Sequence, residues 1–352
     1  MGEKFARQVY GEATDHINTE GIESPMGKKS NRQSDHHGEA GFHLFYQQVY
    51  GERWERLKAA LVDEPRQVAR LNRFSNQKWM SPAISNEDIL KIGESIAISR
   101  ECEKLGSGPS WVDVGLEGLE GSKNQPGQVL NYYVMDAASI YAAEALRVSS
   151  GDRVLDLCAA PGGKSLILIE KLGEAGFLVA NELSDRRRAR LRSVFDAYLP
   201  NSTREKNLKV THHDGSKWCL YEQEAYDRVL LDAPCSGERH LMGNPKELNQ
   251  WSKARSKNLS VRQFSLLASA FGVVKKNGRI VYSTCSISPT ENDDVIAKLL
   301  KKRKGKVRVV EQKLDIGEAT EFGWILLPDT TGFGPIYFSV LEKAESDFTS
   351  LF

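Results

Sequence analysis

The chain has 352 residues, with 48 basic against 47 acidic ones (net charge +1 at neutral pH), 40% hydrophobic and 27% charged. That describes a globular protein able to bury a sizeable core, longer than one ordinary domain, and too balanced in charge to attract a polyanion by its overall field. No apolar run approaches the roughly 20 residues that cross a bilayer. The N-terminal stretch fits neither a signal core nor an Arg-rich, acid-poor transit peptide, which makes the cytosol the default compartment.

Residues 1–41 are rich in Gly, Ser, Asn, His and charge, and composition predicts a disordered tail there. Between 42 and 61 apolar residues recur at helical spacing (Phe45, Val49, Trp54, Leu57, Leu61), and a second helix is expected over 68–74. The rest of this extension, to residue 127, carries Pro82, Pro109 and Pro126 and predicts short elements and loops. Residues 128–146 read as helix.

From Asp152 onward, short β-rich runs alternate with longer helical stretches. The runs are 153–157, 176–180, 208–211, 226–231, 279–283, 324–327 and 336–341. This rhythm implies an α/β domain over 128–345, a mostly parallel sheet with helices on both faces, and a short tail over 346–352. Only a loop separates the last two runs, which are expected to pair as an antiparallel hairpin at the sheet edge.

Ligands of open α/β sheets bind at the carboxyl ends of the strands. The first run leads into Leu157, Cys158, Ala159, Ala160, Pro161, Gly162, Gly163, Lys164 and Ser165: a strand, a turn whose glycines admit a close backbone approach, then a helix. It is not a phosphate loop of the GxxxxGK type. Glu182 ends the second run, roughly 20 residues past the glycines, where a carboxylate suits a ribose diol. Asp214, before Gly215, follows the third and could accept from an adenine amino group. Asp232 closes the fourth. Singly, each acid reads as a solvated strand-end residue; four in series with Asp156 point to a nucleoside cofactor.

Five cysteines (Cys102, Cys158, Cys219, Cys235, Cys285) form no CxxC pair and are odd in number, which argues for reduced thiols and against a structural zinc. Three read as small packing residues. Cys235, after Asp232-Ala233-Pro234, and Cys285, after Tyr282-Ser283-Thr284, both sit at strand ends on the rim of the cofactor site.

These segments resemble the Sun-type (NSUN) family of RNA 5-methylcytosine methyltransferases over roughly residues 128–342. The likeness rests on the loop 157–165, on Asp232-Ala233-Pro234-Cys235-Ser236 and on Ser283-Thr284-Cys285-Ser286. It implies a Rossmann-like class I S-adenosylmethionine-dependent methyltransferase sheet with a small helical N-terminal extension. It also implies a cofactor, S-adenosylmethionine, held by Cys158 to Lys164 together with Glu182, Arg187, Asp214, Gly215 and Asp232. Glu182 departs from the aspartate of many relatives, though either carboxylate chelates a ribose. The resemblance alone makes Cys285 the nucleophile and Cys235 the thiol that helps release product.

The chemistry needs such a pair. Carbon 5 of cytosine is too weak a nucleophile to take a methyl group unaided, and a thiolate added at carbon 6 turns the ring into an enamine. The thiolate requires a pKa lowered from about 8.5 by nearby positive charge or dipoles. An acid near the third ring nitrogen would steady the charge that builds up, a place that suits Asp232. Lys164 resembles a family lysine at the target base, and pairing with Asp232 is its plainer role.

Within the family, Glu238-Arg239-His240 and Trp218 lean toward members acting on ribosomal RNA, and Leu71-Asn72-Arg73-Phe74 toward those acting on transfer RNA. RNA is thus the expected partner, ribosomal first and transfer second, for a monomer with no membrane contact and with room for a targeting protein. The compartment is the mitochondrial matrix for a eukaryotic source. No appended RNA-binding domain is expected after the last strand, so the catalytic domain, the N-terminal helices or a partner protein is expected to hold the RNA, with local patches supplying the charge. One is the dense helix carrying Arg186, Arg187, Arg188, Arg190 and Arg192. Another is the segment where Lys246, Lys253, Arg255, Lys257 and Arg262 flank the aromatic Trp251. The run 301–308 reads equally as a solvated face. A non-catalytic RNA-binding factor would show decayed cysteines. A protein or small-molecule methyltransferase would leave the thiol pair without a purpose, and a DNA cytosine methyltransferase would lack Cys285.

Overall fold

The computed structural model describes residues 37–75, 89–98 and 128–345. Most of both expected tails, residues 76–88 and 99–127 of the extension expected to hold short elements and loops, and with them Cys102, lie outside the described residues.

Two helices, α1 (Gly38–Tyr50) and α2 (Trp54–Val62), meet at a 3₁₀ turn and bury Phe42, Tyr46, Trp54, Leu57 and Leu61 against the main body. Their spacing of three and four residues is what puts those side chains on one stripe. Helix α1 starts at Gly38, inside the stretch that composition assigns to the tail. A tertiary contact holds it there, the Gly38 N–H donating to the Trp251 carbonyl at 2.9 Å.

The helix expected over 68–74 is instead a strand, β1 (Val68–Leu71), with all four residues buried. Together with β2 (Ile89–Ile92), β3 (Ser95–Ile98) and β4 (Tyr132–Met135) it makes an antiparallel sheet in the order β2-β3-β1-β4. Short apolar runs fit both periods, and here non-local pairing decides. Its buried Arg70 is neutralised by a two-pronged pair with Glu170, at 2.7 and 2.9 Å. Residues 128–146, read as one helix, divide likewise into β4 and α3 (Ala137–Glu144). The break is Asp136, whose carboxylate caps α3 by accepting from the Ala138 N–H at 2.8 Å.

The main domain then runs β5 (Arg153–Asp156), α4 (Gly163–Ile169), β6 (Phe177–Asn181), α5 (Asp185–Tyr198), α6 (Asn201–Asn207), β7 (Leu208–Thr211) and β8 (Tyr226–Asp232). It continues through α7 (Glu238–Met242), α8 (Pro245–Leu248), α9 (Lys253–Val273), β9 (Val274–Thr284) and α10 (Asp293–Lys302). Last come β10 (Val307–Val309), β11 (Glu318–Ala319), β12 (Trp324–Leu326), α11 (Pro328–Thr331) and β13 (Ile336–Lys343). All seven expected β-runs are strands. Five of them are parallel in the order β7-β6-β5-β8-β9, and β13 inserts antiparallel between β9 and β12, so the last two runs do form the expected hairpin.

Alternation along the strands sends Leu155, Val229, Leu231 and Ile280 to a core shared with α1, α2 and α9. Val154, Leu178, Leu230 and Val281 go to the opposite core, under α3, α4 and α5. The chain leaves β5 toward β6 on one side and returns as β8 on the other, which opens a crevice at the carboxyl ends of β5 and β8. Among the described residues no helix is long and apolar enough to cross a membrane.

Candidate active site

The loop after β5 is shaped by its glycines. Gly162 has φ +121°, and a Cβ on Gly163 would lie 2.7 Å from the Tyr133 ring, so neither position accepts a side chain without displacement. Asp156, at the end of β5, accepts from Ser165 Oγ at 2.6 Å, while its Oδ1 is buried without a hydrogen-bond partner. Burial pushes the Asp156 carboxyl up to about 7. This loop, from Cys158 to Lys164, lines a cavity of about 240 Å³ together with Tyr133, Asp156 and Asp232.

Beside it lies a cavity of about 380 Å³ between the ends of β5, β6 and β7, walled by Cys158, Glu182, Leu183, Arg187, Asp214, Gly215 and Leu266, among others. Glu182 Oε1 accepts from the Ser184 N–H at 2.9 Å. Its Oε2 is buried and accepts no hydrogen bond, with Arg187 Nη1 3.3 Å away. Arg187 itself is tethered to the Ala160 carbonyl at 2.7 Å. A Cβ on Gly215 would come within 3.0 Å of Leu157 and Leu266. A buried carboxylate with a spare oxygen beside apolar walls is what a ribose diol and a flat purine require.

The largest of these cavities, about 970 Å³, opens next to both and brings Lys164, Asp232, Cys235 and Cys285 together. The two sulfurs stand 3.0 Å apart as free thiols, Cys285 exposed and Cys235 half-buried. The Cys285 sulfur, as hydrogen-bond partner, and burial together push the Cys235 thiol well up. Lys164 Nζ donates to Asp232 Oδ2 at 2.8 Å, and Ser283 Oγ donates to Asp232 Oδ1 at 2.8 Å. Burial alone would lower the Lys164 ammonium's pKa; the Asp232 carboxylate outweighs it and the net direction is up. Asp136 and Arg239 close the far wall, Asp136 accepting from the Gly334 N–H at 2.9 Å and Arg239 donating to the Gly334 carbonyl at 3.1 Å.

Every expected cofactor residue therefore borders one of the three cavities, and the four expected at the chemistry share one. Cys158 is pushed up by burial, and Cys219 is buried in the core. Sequence reasoning gave no site role to Glu291 or Leu266, met Glu238 only inside a family motif and read Arg262 only as an RNA-facing cation; Glu238 and Glu291 are fully buried beneath the cysteine loops, and Arg262 and Leu266 stand on the cofactor wall. It also misread Trp251. That ring is buried, edge-on to Phe42 at 5.7 Å and tilted against Phe45 at 5.6 Å, so it packs α1 and offers no face to a base. The cations around it, Lys246, Lys253, Arg255, Lys257 and Arg262, are exposed, as are Arg186, Arg190 and Arg192 on α5. Within the basic run near 301–308, Lys302 and Arg303 cover the rings of Phe264 and Phe271.

The strand order, the antiparallel insertion of β13 and the acids and glycines at the strand ends define a Rossmann-like, class I S-adenosylmethionine-dependent methyltransferase. The family described as 16S rRNA methyltransferase RsmB/F matches residues 143–342. The 5-cytosine rRNA methyltransferase NSUN4 of Mus musculus is 32% identical over 339 residues, spanning 86% of this chain and 87% of its own. The mitochondrial tRNA (cytosine(34)-C(5))-methyltransferase of Danio rerio is 36% identical over 230 residues, 62% of each chain. Two solved structures share the fold. A methyltransferase homologue from Pyrococcus horikoshii has TM-score 0.63 and 24% identity over 85% of this chain and 94% of its own. NSun6 of the same organism, crystallised with SFG, has TM-score 0.64 and 18% identity over 86% and 98%. The chain belongs to the RsmB/F family, the Sun-type RNA 5-methylcytosine methyltransferases that its motifs resemble.

Proposed function

We propose that this enzyme methylates carbon 5 of a cytosine in ribosomal RNA through a bond between Cys285 Sγ and carbon 6 of the base. The observation that carries the reading is the thiol pair: Cys235 and Cys285 both border the large cavity with their sulfurs 3.0 Å apart, Cys285 the more exposed, and the order of roles is the one the family resemblance implies. Lys164, paired with Asp232, borders the same cavity and brings a positive charge to it, as a thiol nucleophile requires.

S-adenosylmethionine, when bound, supplies the electrophilic methyl group. Glu182 would hold its ribose through the spare Oε2, Asp214 and Gly215 would border the base, and the loop 158–164 would border the amino-acid end. Asp232, fixed by Lys164 and Ser283, is suited to bonding the polar edge of the cytosine as charge develops there. Cys285 forms the bond to carbon 6, carbon 5 takes the methyl group, and the carbon 5 proton then leaves to water in the cavity. As the carbon–sulfur bond breaks, its electron pair returns to Cys285, and the Cys235 S–H donates to that departing sulfur.

Ribosomal RNA is favoured because the relative named for it aligns along nearly the whole chain, whereas the tRNA enzyme of Danio rerio aligns over 62%. The exposed arginines of α5 and the cations around α8 and α9 supply the grip on the backbone, and the target base must be unpaired or flipped into the cavity. For a eukaryotic source, the mitochondrial designation of the Danio rerio relative points to the matrix. Bisulfite sequencing of ribosomal and transfer RNA from cells with and without the gene tests the reading. Loss of one ribosomal 5-methylcytosine is expected; loss confined to a transfer RNA would move the substrate, and no loss in either would overturn it.

A further inference from the structure

Cys235 and Cys285 are carried by loops from different strands, and the pairing of β8 with β9 ends at Asp232 and Ser283. One more backbone bond, Ala233 N–H to the Ser283 carbonyl at 2.8 Å, continues the ladder before the cysteines are reached. What ties the loops beyond that point lies underneath them. Each cysteine is followed by a serine, and Ser236 Oγ and Ser286 Oγ lie 3.1 Å apart. Both donate to the same carboxylate oxygen, Glu238 Oε1, Ser286 at 3.0 Å. Tyr46 OH of α1 donates to that oxygen at 2.6 Å, and the Ile287 N–H donates to Oε2 at 3.0 Å. Glu238 is fully buried.

A carboxylate has about four acceptor sites, and a buried one is stable only when they are filled. Here three donors converge on Oε1 and one on Oε2; they come from α1, from the Cys235 loop and twice from the Cys285 loop, so the carboxylate keeps these partners only while all three segments stay in register. Glu291 pins the same place from the other side, accepting from the Ser236 N–H at 3.0 Å and from Gln263 at 2.8 Å. We propose that Glu238 is a positioning residue that locks the two cysteine loops together and so sets the separation of the two thiols, without touching substrate or cofactor. This deepens the reading of Cys285 and Cys235 as attacking and releasing thiols and rests on it. The negative charge of Glu238 also adds to the upward push on the Cys235 thiol.

The test uses the full-length protein and phenylarsine oxide, a trivalent arsenical that bridges two adjacent thiols with loss of water and needs neither RNA nor cofactor. Wild type should capture one equivalent, and Cys235→Ala should leave that bridge unformed. Glu238→Gln should capture at least about tenfold more slowly and lower kcat about 10- to 100-fold, with KM for RNA nearly unchanged, as expected for an ångström-scale misplacement. In that variant the pH at which Cys235 ionises should fall. Should Glu238→Gln fail to fold, the Ser236→Ala/Ser286→Ala double variant keeps the acid, removes both loop donors and predicts the same slow capture. Capture at the wild-type rate in a folded variant, or a change confined to KM, would overturn the proposal. Methyl transfer persisting in Cys285→Ala would instead sink the assignment of the nucleophile and leave the capture result standing.

Discussion

Lys164 Nζ sits 2.8 Å from Asp232 Oδ2, and the opposite oxygen of that carboxylate takes the Ser283 hydroxyl at 2.8 Å, so one acid joins α4 to the ends of β8 and β9. Both side chains are largely shielded, at 13% and 30% exposure. Removing either leaves the other charge unpaired in a poorly solvated place, which costs more than the pair is worth. Lys164→Met and Asp232→Asn should each lose on the order of 1–3 kcal/mol of stability, and the double variant less than their sum. Urea unfolding without cofactor measures this. Strict additivity would mean that the two groups do not interact. Each single variant should also slow methyl transfer by about 100-fold or more, since the pair faces the cavity that holds the thiols.

The cysteines separate by kind of failure. Cys285→Ala should abolish methyl transfer while calorimetry still records cofactor binding, because the cofactor cavity is walled by other residues. Appreciable residual turnover would remove Cys285 from the nucleophile's place. Cys235→Ala should still form the bond to carbon 6 and then stall, giving an RNA–protein band on a denaturing gel. If that band is missing with the natural RNA, the release role of Cys235 fails.

Much of this was legible because the chemistry lives at strand ends. The runs that became β5, β6, β7, β8 and β9 are short, apolar and bounded by turn residues, and the acids, glycines and cysteines that follow them fall on one rim by topology alone. The N-terminal sheet was not legible. β1 bonds to β3 and to β4, the latter some sixty residues on by sequence position, and a four-residue run of three apolar residues and Arg70 carries no trace of partners so distant. Glu238 was hidden for a related reason. In sequence a buried carboxylate looks like a surface one, and its donors at Tyr46, Ser236, Ser286 and Ile287 are united only by the fold. The serine after each cysteine and the motif Glu238-Arg239-His240 were the traces available, and neither tells that the acid is buried.

Asp156 makes a prediction about pH. Its folded-state pKa is raised by burial to about 7, against 3.8 unfolded. The native state therefore binds more protons than the unfolded chain between those values. Stability from this group is greatest in acid and falls as pH rises through the window, by an amount on the order of a few kcal/mol. Asp156→Asn removes that titration. The gap in urea midpoint between variant and wild type should shift in the variant's favour as pH goes from 5 to about 8. A gap independent of pH would show that Asp156 is ionised throughout.

Trp251 separates packing from RNA contact within one segment. Its ring is buried against Phe42 and Phe45, next to Tyr46, and its carbonyl takes the first N–H of α1. Trp251→Ala should cost about 3–5 kcal/mol, the range for a large aromatic removed from a core. The fraction that remains folded should bind RNA as tightly as wild type. The neighbouring cations behave oppositely: Lys253, Arg255 and Arg262 are exposed, and each one neutralised should weaken RNA binding and reduce the slope of log affinity against log salt by up to about 1, with little change in unfolding. Filter binding across a salt series, paired with unfolding of the same samples, reads both effects. A Trp251→Ala protein of unchanged stability and weakened RNA affinity would return that ring to the RNA surface. Unchanged salt slopes in the cation variants would move the RNA path off α8 and α9, leaving the arginines of α5 to carry it.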